Sequence, residues 1–444
     1  MKTDVVVIGG GIAGLAAGAL LAKRGRSVVV LEKGNRPGGR AYTYEDKGFT
    51  LNYGPHAMYL FRKGPLGEIL KRLDRPEIPC GIPKPVRSYF ADGDRFGSLG
   101  TMPHQALTTP LFSPATKLRL GAFMLALRTA KPARAKGMTW REWVERKTSD
   151  AALRRFAIAL ATINSYTRPG GDLSATWMLS HFQHALFEKD YVGYMSGGWR
   201  TMYDIFIDEL RANAGELRTG AAVERLETAG GRIVAAVTPG ARVEADAFVC
   251  ALPPEAIAQL SPDDPALRSE LSGWTGLQDA RAYCMDLGFD RRLRTDLSFI
   301  YDIDHDLYMS LHSEVTPDLA PKDGLLLHAM AYLSPDEAAD ARLREGRKQE
   351  LLAALDRFFP GWRDALVVER ILPDALVNPA RRTLDQEDRL VPLRSRAAAN
   401  LFFAGDARDI ALDLSLVSLT SALEAADAVA ALPQSMSEPA TATT

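Results

Sequence analysis

The first part of the chain alternates short apolar runs with a helical pattern. Val5 to Ile8 is a continuous apolar run, which is typical of a strand buried on both faces, and Val28 to Leu31 repeats it. Between them, Leu15 to Arg24 carries small and apolar residues and is followed by Gly25, as expected for a helix and its end. The pattern predicts a βαβ unit, in which a helix connects two parallel strands.

The middle of the chain shows two other patterns. Ala282 to Phe289 and Leu307 to His312 alternate apolar and polar residues, and Leu325 to Leu333 is an apolar run. We expect these segments to form an antiparallel sheet that is one wall of a substrate cavity. The stretch from about Pro114 to Leu186 is mainly helical, and Leu351 to Phe359 predicts a further helix. Together the patterns predict an α/β chain.

The composition indicates a folded protein with a sizeable core. The chain has 444 residues, of which 46% are hydrophobic and 25% charged, and this length predicts two or three domains. The net charge of −1 leaves no basic excess that would attract nucleic acid. The first strand begins close to Met1 and no apolar run reaches about 18 residues, so neither a signal peptide nor a transmembrane helix is expected. We therefore expect a cytoplasmic enzyme.

Three glycines follow the first apolar run with the spacing G-x-G-x-x-G. They are Gly9, Gly11 and Gly14, and Glu32 ends the second strand about twenty residues later. In a dinucleotide site the first glycine permits a tight turn, the second lets the backbone approach the pyrophosphate, and the third allows close helix–strand packing. Free N–H groups at the helix start favour the phosphate charge, and Glu32 can accept hydrogen bonds from ribose hydroxyls. The sequence therefore predicts a dinucleotide site.

A second motif follows the acid. Residues Gly38-Gly39-Arg40 resemble the second FAD motif of the superfamily that contains phytoene desaturases, protoporphyrinogen oxidases and flavin amine oxidases. In that superfamily the arginine region contacts the FAD pyrophosphate, so the resemblance implies that the cofactor is FAD rather than NAD. No cysteine lies in the C-terminal segment where some amine oxidases attach the flavin, and we expect FAD to be non-covalent.

The resemblance also implies where the flavin ring lies. The turn at Gly54-Pro55 corresponds to a family turn close to the isoalloxazine, which makes His56 and Tyr59 candidates to line the reacting face. The alternative for His56 is a partly buried histidine bonded to the backbone. The family commonly has an acid where this sequence carries Asn52.

Two later segments complete the resemblance. In the family, a backbone group near Val223 meets the adenine, and the acid of a Gly-Asp pair, here Asp406, holds the ribityl or phosphate end of FAD. Val417 stands where the family usually has a glycine beside the flavin. The residues expected to contact FAD are Gly9, Gly11, Ile12, Ala13, Gly14, Glu32, Lys33, Gly38, Gly39, Arg40, Gly54, Pro55, Val223, Gly405, Asp406 and Val417.

The motifs lie in three separated parts of the chain. The expected fold is therefore a discontinuous Rossmann-type FAD-binding domain with an α+β substrate domain inserted into it. The FAD-binding domain is predicted at 1–75, 196–265 and 385–432, the substrate domain at 76–195 and 266–384, and a disordered tail at 433–444.

Two features have competing interpretations. His181 and His184 lie three apart on a predicted helix, a spacing that suits a metal, but no acid supports a metal and we expect none. Lining a substrate cavity is the alternative. Lys117 to Leu127 predicts a basic amphipathic helix that either packs on its own domain or contacts a membrane surface.

The cysteines, Cys80, Cys250 and Cys284, are scattered and predict neither a disulfide framework nor a metal site.

Two motifs that are absent from the sequence narrow the choice of reaction. There is no second G-x-G-x-x-G for an NADPH domain, and no aromatic residue between Asp406 and Ser421 to form the cage found in many amine oxidases. We therefore expect an FAD-dependent dehydrogenase or desaturase that transfers a hydride from an apolar, carotenoid- or lipid-like substrate to flavin N5, with oxygen or a quinone as acceptor. The alternatives are an amine or amino-acid oxidase, an isomerase that uses reduced FAD, and a non-catalytic FAD-binding partner.

Overall fold

The computed structural model describes residues 1–54, 56–99, 103–185, 192–410, 412 and 414–433. The strands are β1 (Lys2–Ile8), β2 (Val28–Leu31), β3 (Thr43–Asp46), β4 (Phe49–Asn52), β5 (Met58–Tyr59), β6 (Cys80–Gly81), β7 (Ser88–Asp92), β8 (Arg95–Ser98), β9 (Val192–Met195), β10 (Glu216–Arg218), β11 (Arg225–Ala229), β12 (Arg232–Thr238), β13 (Ala241–Cys250), β14 (Ser261–Pro262), β15 (Ala280–Phe289), β16 (Phe299–Asp302), β17 (Leu307–Leu311), β18 (Leu325–Leu333), β19 (Leu366–Asn378) and β20 (Leu401–Phe403). The helices are α1 (Ile12–Lys23), α2 (Pro65–Arg72), α3 (Pro103–Thr108), α4 (Pro114–Thr129), α5 (Trp140–Lys147), α6 (Ala151–Ser165), α7 (Ala175–Ala185), α8 (Arg200–Ala212), α9 (Pro254–Gln259), α10 (Pro265–Ser272), α11 (His312–Val315), α12 (Pro335–Ala339), α13 (Ala341–Phe358), α14 (Trp362–Ala365) and α15 (Leu414–Ala430).

The first large sheet contains the βαβ unit at the start of the chain. Its strand order is β10-β2-β1-β13-β12-β11-β14, with β20 paired to β13, and β1 is parallel to both of its neighbours. Alternate residues of β1 enter different cores, since Val5 and Val7 pack towards α1 whereas Val6 and Ile8 pack on the opposite face. Burial on both faces explains the continuous apolar run and confirms the α/β, Rossmann-type prediction.

The last helix joins the first one across the whole length of the chain. Helix α15 packs against α1, and Arg24 Nη2 donates to Asp427 Oδ1 at 2.5 Å. Arg26 Nη2 donates to the carbonyl oxygen of Leu432 at 2.7 Å. The C-terminal segment is therefore an integral part of the layer that covers the first sheet.

The second large sheet has the order β19-β15-β18-β17-β16-β7-β8. It is antiparallel as predicted, except that β16 and β7 are parallel. The predicted alternation in β15 does not produce an exposed face, because Cys284 packs in the core of the α4–α7 helices and Met285 packs in the core that includes α13. The sheet is thus covered on both sides.

Several predicted bounds need correction. Helix α1 begins at Ile12 rather than Leu15, since the glycine turn passes directly into helical backbone, and α13 begins at Ala341 rather than Leu351. The first turns of α13 are polar, which hid them from a search for apolar periodicity. The predicted stretch from Pro114 is resolved into α4 to α7, while Leu186 lies outside the described residues.

Candidate functional site

The turn between β1 and α1 consists of glycines because side chains would collide there. Gly9 has φ of +107°, and a Cβ on Gly14 would lie 2.0 Å from the carbonyl oxygen of Gly9. A Cβ on Gly11, the N-cap of α1, would meet no atom within 4 Å. The protein thus packs tightly at Gly9 and Gly14 but leaves room at the N-terminus of α1, where a ligand phosphate is favoured. Ile12 and Ala13 form the first turn of this helix.

The Glu32 carboxylate closes this turn from the second strand. Its Oε2 accepts from the backbone N–H of Gly10 and its Oε1 from that of Gly34, both at 2.7 Å. The carbonyl oxygen of Glu32 accepts from the N–H of Ala221 at 2.8 Å, which places the segment leading to Val223 at the same edge of the sheet. Lys33 is exposed beside it. The carboxylate keeps unused lone pairs, so its hydrogen bonds to the turn leave capacity for a ribose hydroxyl.

The second glycine motif lies directly against the first. The N–H of Gly38 donates to the carbonyl oxygen of Gly10 at 2.8 Å, and a Cβ on Gly39 would approach Gly11 Cα to 3.2 Å. Arg40 Nη2 then donates to Asp406 Oδ2 at 2.5 Å. One side chain therefore connects the motif after Glu32 to the Gly-Asp pair near the other end of the chain.

The Gly-Asp pair is held by the last helix. Gly405 has φ of +119°, and its N–H donates to Ser421 Oγ at 2.9 Å. Val417, also on α15, is fully buried. Residues of widely separated sequence motifs thus lie close together around Gly11, Arg40 and Asp406.

The predicted flavin-side turn lies against the second sheet. Gly54 has φ of +93°, and a Cβ there would come within 3.9 Å of Cys284 Sγ on β15. Pro55 lies outside the described residues. This turn therefore follows β4 and lies against the second sheet, which forms a wall here.

His56 follows the turn and is half-buried. Its Nδ1 lies 3.0 Å from the carbonyl oxygen of Gly54, and its ring meets the Trp199 ring edge-on with centroids 4.8 Å apart. Burial lowers the pKa of His56 to about 4, so the imidazole is neutral near pH 7. Tyr59 lies in β5, and its hydroxyl is 2.9 Å from that of Tyr166.

Tyrosine hydroxyls recur where β9 and the end of α6 contact the second sheet. The Tyr194 hydroxyl is hydrogen bonded to Ser310 Oγ at 2.9 Å and approaches the Tyr308 hydroxyl at 3.5 Å. The Tyr332 ring lies 5.8 Å from that of Tyr166. Burial raises the pKa of Tyr194, Tyr308 and Tyr332, which keeps all three hydroxyls neutral. This part of the molecule is aromatic, with neutral polar groups at intervals.

A row of polar side chains crosses the otherwise apolar second sheet. Arg370 on β19, Asp286 on β15, His328 on β18 and Ser310 on β17 are consecutive register partners. Asp286 Oδ1 accepts a short hydrogen bond from His328 Nδ1, and its Oδ2 accepts from Arg370 Nε at 2.8 Å. Arg370 also donates to the carbonyl oxygen of Asn52. The row therefore ends beside the strand that leads to the Gly54 turn.

Sequence reasoning did not identify this row. The members lie in separate strands, and they meet only through strand pairing. The available signal was Asp286 inside a predicted strand, since Asp is almost never fully buried unless it is paired, whereas the strand that carries Arg370 was not predicted.

Helix α7 carries the histidine pair of the sequence analysis. His181 is buried with its ring stacked on Trp177 at 5.2 Å, whereas His184 is exposed, with Nδ1 2.7 Å from the carbonyl oxygen of Ser180. The two side chains therefore do not share an environment. Within the described ranges, no group of three or more His, Cys, Asp or Glu side chains could hold a metal ion. Among the residues that the structure describes, no helix is long and apolar enough to span a bilayer.

The family model described as flavin containing amine oxidoreductase matches residues 12–430. All-trans-retinol 13,14-reductase of Macaca fascicularis is 42% identical over 69 residues, which are 16% of this chain and 11% of that protein. Phytoene desaturase (lycopene-forming) of Pantoea ananas is 53% identical over 49 residues, 11% of this chain and 10% of its own. An oxidoreductase from Methanosarcina mazei has a similar fold, with a TM-score of 0.78 and 19% identity over 96% of this chain and 100% of that one.

Proposed function

Since the chain belongs to the flavin-containing amine oxidoreductases, we propose that it binds FAD non-covalently and oxidises a mainly apolar small molecule. The supporting observation is the aromatic wall of neutral groups beside the Gly54 turn. Such a wall favours an apolar substrate, because it supplies packing surface and places no unpaired charge against a hydrocarbon. We propose residues 76–195 and 266–384 as the substrate domain and 1–75, 196–265 and 385–432 as the FAD-binding domain.

The residues of the first sheet fit FAD. Open space at Gly11 and the free N–H groups of α1 suit a pyrophosphate, and Glu32 retains lone pairs for a ribose. Arg40 and Asp406 would hold the phosphate and ribityl portions, and the backbone near Val223 would meet the adenine. The cysteines are Cys80, Cys250 and Cys284, so the C-terminal segment offers no thiol for a covalent link.

The wall of the second sheet would orient the substrate and exclude water. When bound, FAD supplies the hydride acceptor at N5. Tyr59 and Tyr166 would pack against the substrate, while His56 stays neutral and places no charge on it. Two relatives are named for retinol and phytoene, and both support a lipophilic substrate.

Anaerobic mixing tests the proposal. A C20 to C40 polyene added to the yellow enzyme without oxygen should bleach the flavin absorbance, and admitting oxygen or a soluble quinone should restore it. Bleaching by amines but by none of the polyenes would contradict it.

The family name favours a second candidate, an amine or amino-acid oxidase. It predicts hydrogen peroxide release in air from members of an amine panel. The third alternative, an isomerase that needs reduced FAD, predicts turnover only after dithionite reduction and no net oxidation.

Peripheral membrane contact is part of the proposal. The three most exposed large apolar side chains in the described ranges are Leu107, Leu118 and Leu125, at 69%, 80% and 63% exposure. Leu118 and Leu125 are seven apart on α4 and therefore share one face. Lys131 and Arg134 are exposed just beyond this helix. Apolar side chains flanked by cations favour an anionic lipid surface, which would also deliver a lipophilic substrate.

Vesicle sedimentation tests the membrane contact. The protein should sediment with vesicles that contain phosphatidylglycerol, and L118D/L125D should not. The matched control is L343D, which changes a partly exposed leucine on α13. Equal sedimentation of all three proteins would contradict the proposal.

A further inference from the structure

Two adjacent histidines of the second sheet, His312 and His328, are fully buried. His328 lies in β18 and His312 is the first residue after β17, and their ring centroids are 4.2 Å apart. Among the residues that the structure describes, Nδ1 and Nε2 of His312 and Nε2 of His328 have no hydrogen-bond partner. Because buried polar atoms almost always have a partner in folded proteins, these three nitrogens indicate a ligand group that pairs with them.

The pair lies on the face of the second sheet that meets the Gly54 turn. Cys284 Sγ, on β15, is the atom nearest to a Cβ built on Gly54. Asp286 is two residues further along β15, on the same face, and its Oδ1 is hydrogen bonded to His328 Nδ1. The unpaired nitrogens are therefore next to the turn at which we place the flavin ring.

The His312 ring is neutral and can both donate and accept a hydrogen bond. Burial lowers the pKa of His312 well below its usual value, and the nearby His328 and His56 lower it further. A neutral imidazole carries a hydrogen on one nitrogen and a lone pair on the other. A hydroxyl group pairs with either nitrogen, because it donates one hydrogen bond and accepts others. For the same reason it can pair with His328 Nε2 in any state of that ring.

The charges around the pair disfavour an ionic ligand. Asp286 Oδ1 is taken by His328, and Oδ2 accepts from Arg370 Nε at 2.8 Å. A carboxylate on the ligand would lie close to this anion, and an ammonium would find both of its oxygens occupied. In the described part of the chain, no group of three or more His, Cys, Asp or Glu side chains could hold a metal ion. A neutral hydroxyl meets none of these difficulties.

We propose that His312 and His328 bind a hydroxyl group of the substrate beside the flavin. This hydroxyl site rests on the function proposed above, and it narrows the substrate from an apolar molecule to an apolar alcohol. With ring centroids 4.2 Å apart, one oxygen atom can lie within hydrogen-bond distance of a nitrogen on each ring. A hydrocarbon in the same position would leave the nitrogens buried and unpaired, so the site discriminates against it.

Three ligands with one carbon skeleton test the hydroxyl site. They are a C20 polyene alcohol, its methyl ether and the hydrocarbon that lacks the oxygen. Quenching of tryptophan fluorescence in the purified protein without oxygen measures their binding and needs no turnover. The wild type should bind the alcohol about tenfold more tightly than the hydrocarbon, because the hydrocarbon leaves buried nitrogens unpaired. The ether accepts a hydrogen bond but cannot donate one, and its affinity should lie between the two.

Substitution of His312 separates this site from the rest of the substrate contacts. H312F removes two nitrogens that have no hydrogen-bond partner in the described structure, so it should unfold at the wild-type temperature or above. It should bind the alcohol and the hydrocarbon about equally, with the hydrocarbon affinity unchanged. H312Q, whose amide donates and accepts, should keep part of the preference. The control is H184F, the same substitution at an exposed histidine of α7, which should keep all of it.

Equal binding of the alcohol and the hydrocarbon to the wild type would overturn the proposal and would mean that the nitrogens pair with water only. A full preference for the alcohol in H312F would overturn it as well. If H312F does not fold, H312Q and the wild-type order of the three ligands decide. If none of the three ligands binds, the apolar substrate of the proposed function is itself wrong, and the hydroxyl site is refuted with it.

Discussion

The glycine turn of the first sheet and the polar row of the second sheet are built in opposite ways. The turn uses backbone groups and one carboxylate that all lie between Gly9 and Gly34, and it leaves open space at Gly11. The row uses side-chain charges from separate strands, with Asp286 and Arg370 84 residues apart, and it is largely buried. A region that receives a ligand can remain open, whereas a region that holds charges without water must satisfy each of them internally.

The comparison predicts that substitutions in the two regions have different effects. A substitution at the open turn should prevent ligand binding and leave the fold intact, because no protein atom occupies the space at Gly11. Damage in the row should destabilise the fold, because the partners of a removed group are left buried and charged.

The largest effect is expected from Gly11→Val. Its side chain would enter the space assigned to the pyrophosphate, so flavin binding should be lost, while the unfolding midpoint of the flavin-free protein should change little. The measurement is the ratio of flavin to protein absorbance after purification. G121V, at an exposed glycine of α4 where a Cβ also meets nothing within 4 Å, is the control. Yellow G11V protein would refute the placement.

Asp286→Ala should have the next largest effect, and on stability. It leaves Arg370 and His328 buried without their shared anion, which costs about 3–5 kcal/mol of the free energy of unfolding. Urea unfolding of the flavin-free protein measures it. D290A removes an exposed carboxylate just beyond the same strand and should cost far less. Equal losses in the free energy of unfolding of D286A and D290A would contradict the prediction.

Glu32→Ala should weaken FAD binding by about 1–3 kcal/mol, the range for lost hydrogen bonds to a charged group. Fluorescence titration of the flavin-free protein with FAD measures the change. E32Q keeps one acceptor oxygen and should fall between the alanine variant and the wild type. If E32A bound FAD as tightly as the wild type, the ribose assignment would be wrong.

The smallest effect concerns pH. His56 has a pKa of about 4 when folded, below its ordinary value of about 6.5, so the unfolded chain binds more protons between these values. Stability contributed by neutral His56 is therefore complete above about pH 6.5 and is lost as the pH falls towards 4. H56Q should show a shallower loss over this interval in pH-dependent urea unfolding, and H184Q, at an exposed histidine, should not. An unchanged slope in H56Q would contradict the burial of this ring.

The same contrast explains what the sequence could predict. The strand, turn and helix from Val5 to Lys23 follow from local apolar periodicity and from steric limits at Gly9 and Gly14, and the structure confirms them. Information of this kind lies within a few residues and needs no tertiary structure.

What could not be predicted depends on distant packing. The alternation in β15 predicted one wall of a cavity, but both of its faces are covered by distant elements, since Met285 packs in the core that includes α13 and Cys284 in the core of the α4–α7 helices. The row through Asp286 and His328 requires the register of three strand pairs, which no single segment contains. The roles of His56, Tyr59, Val223 and Val417 stay predictions, and Pro55 and residues 434–444 lie outside the described part of the chain.

The joining of α1 to α15 has a consequence for biosynthesis. Arg24 and Asp427 are 403 residues apart, and Asp406 is made 366 residues after its partner Arg40. At about 5–20 residues per second, the ribosome needs tens of seconds to proceed from one side of these contacts to the other. The side of α1 that faces α15 therefore stays uncovered until α15 has been made, and cofactor loading follows the synthesis of Asp406. We expect premature termination before α15 to yield a flavin-free product that depends on chaperones.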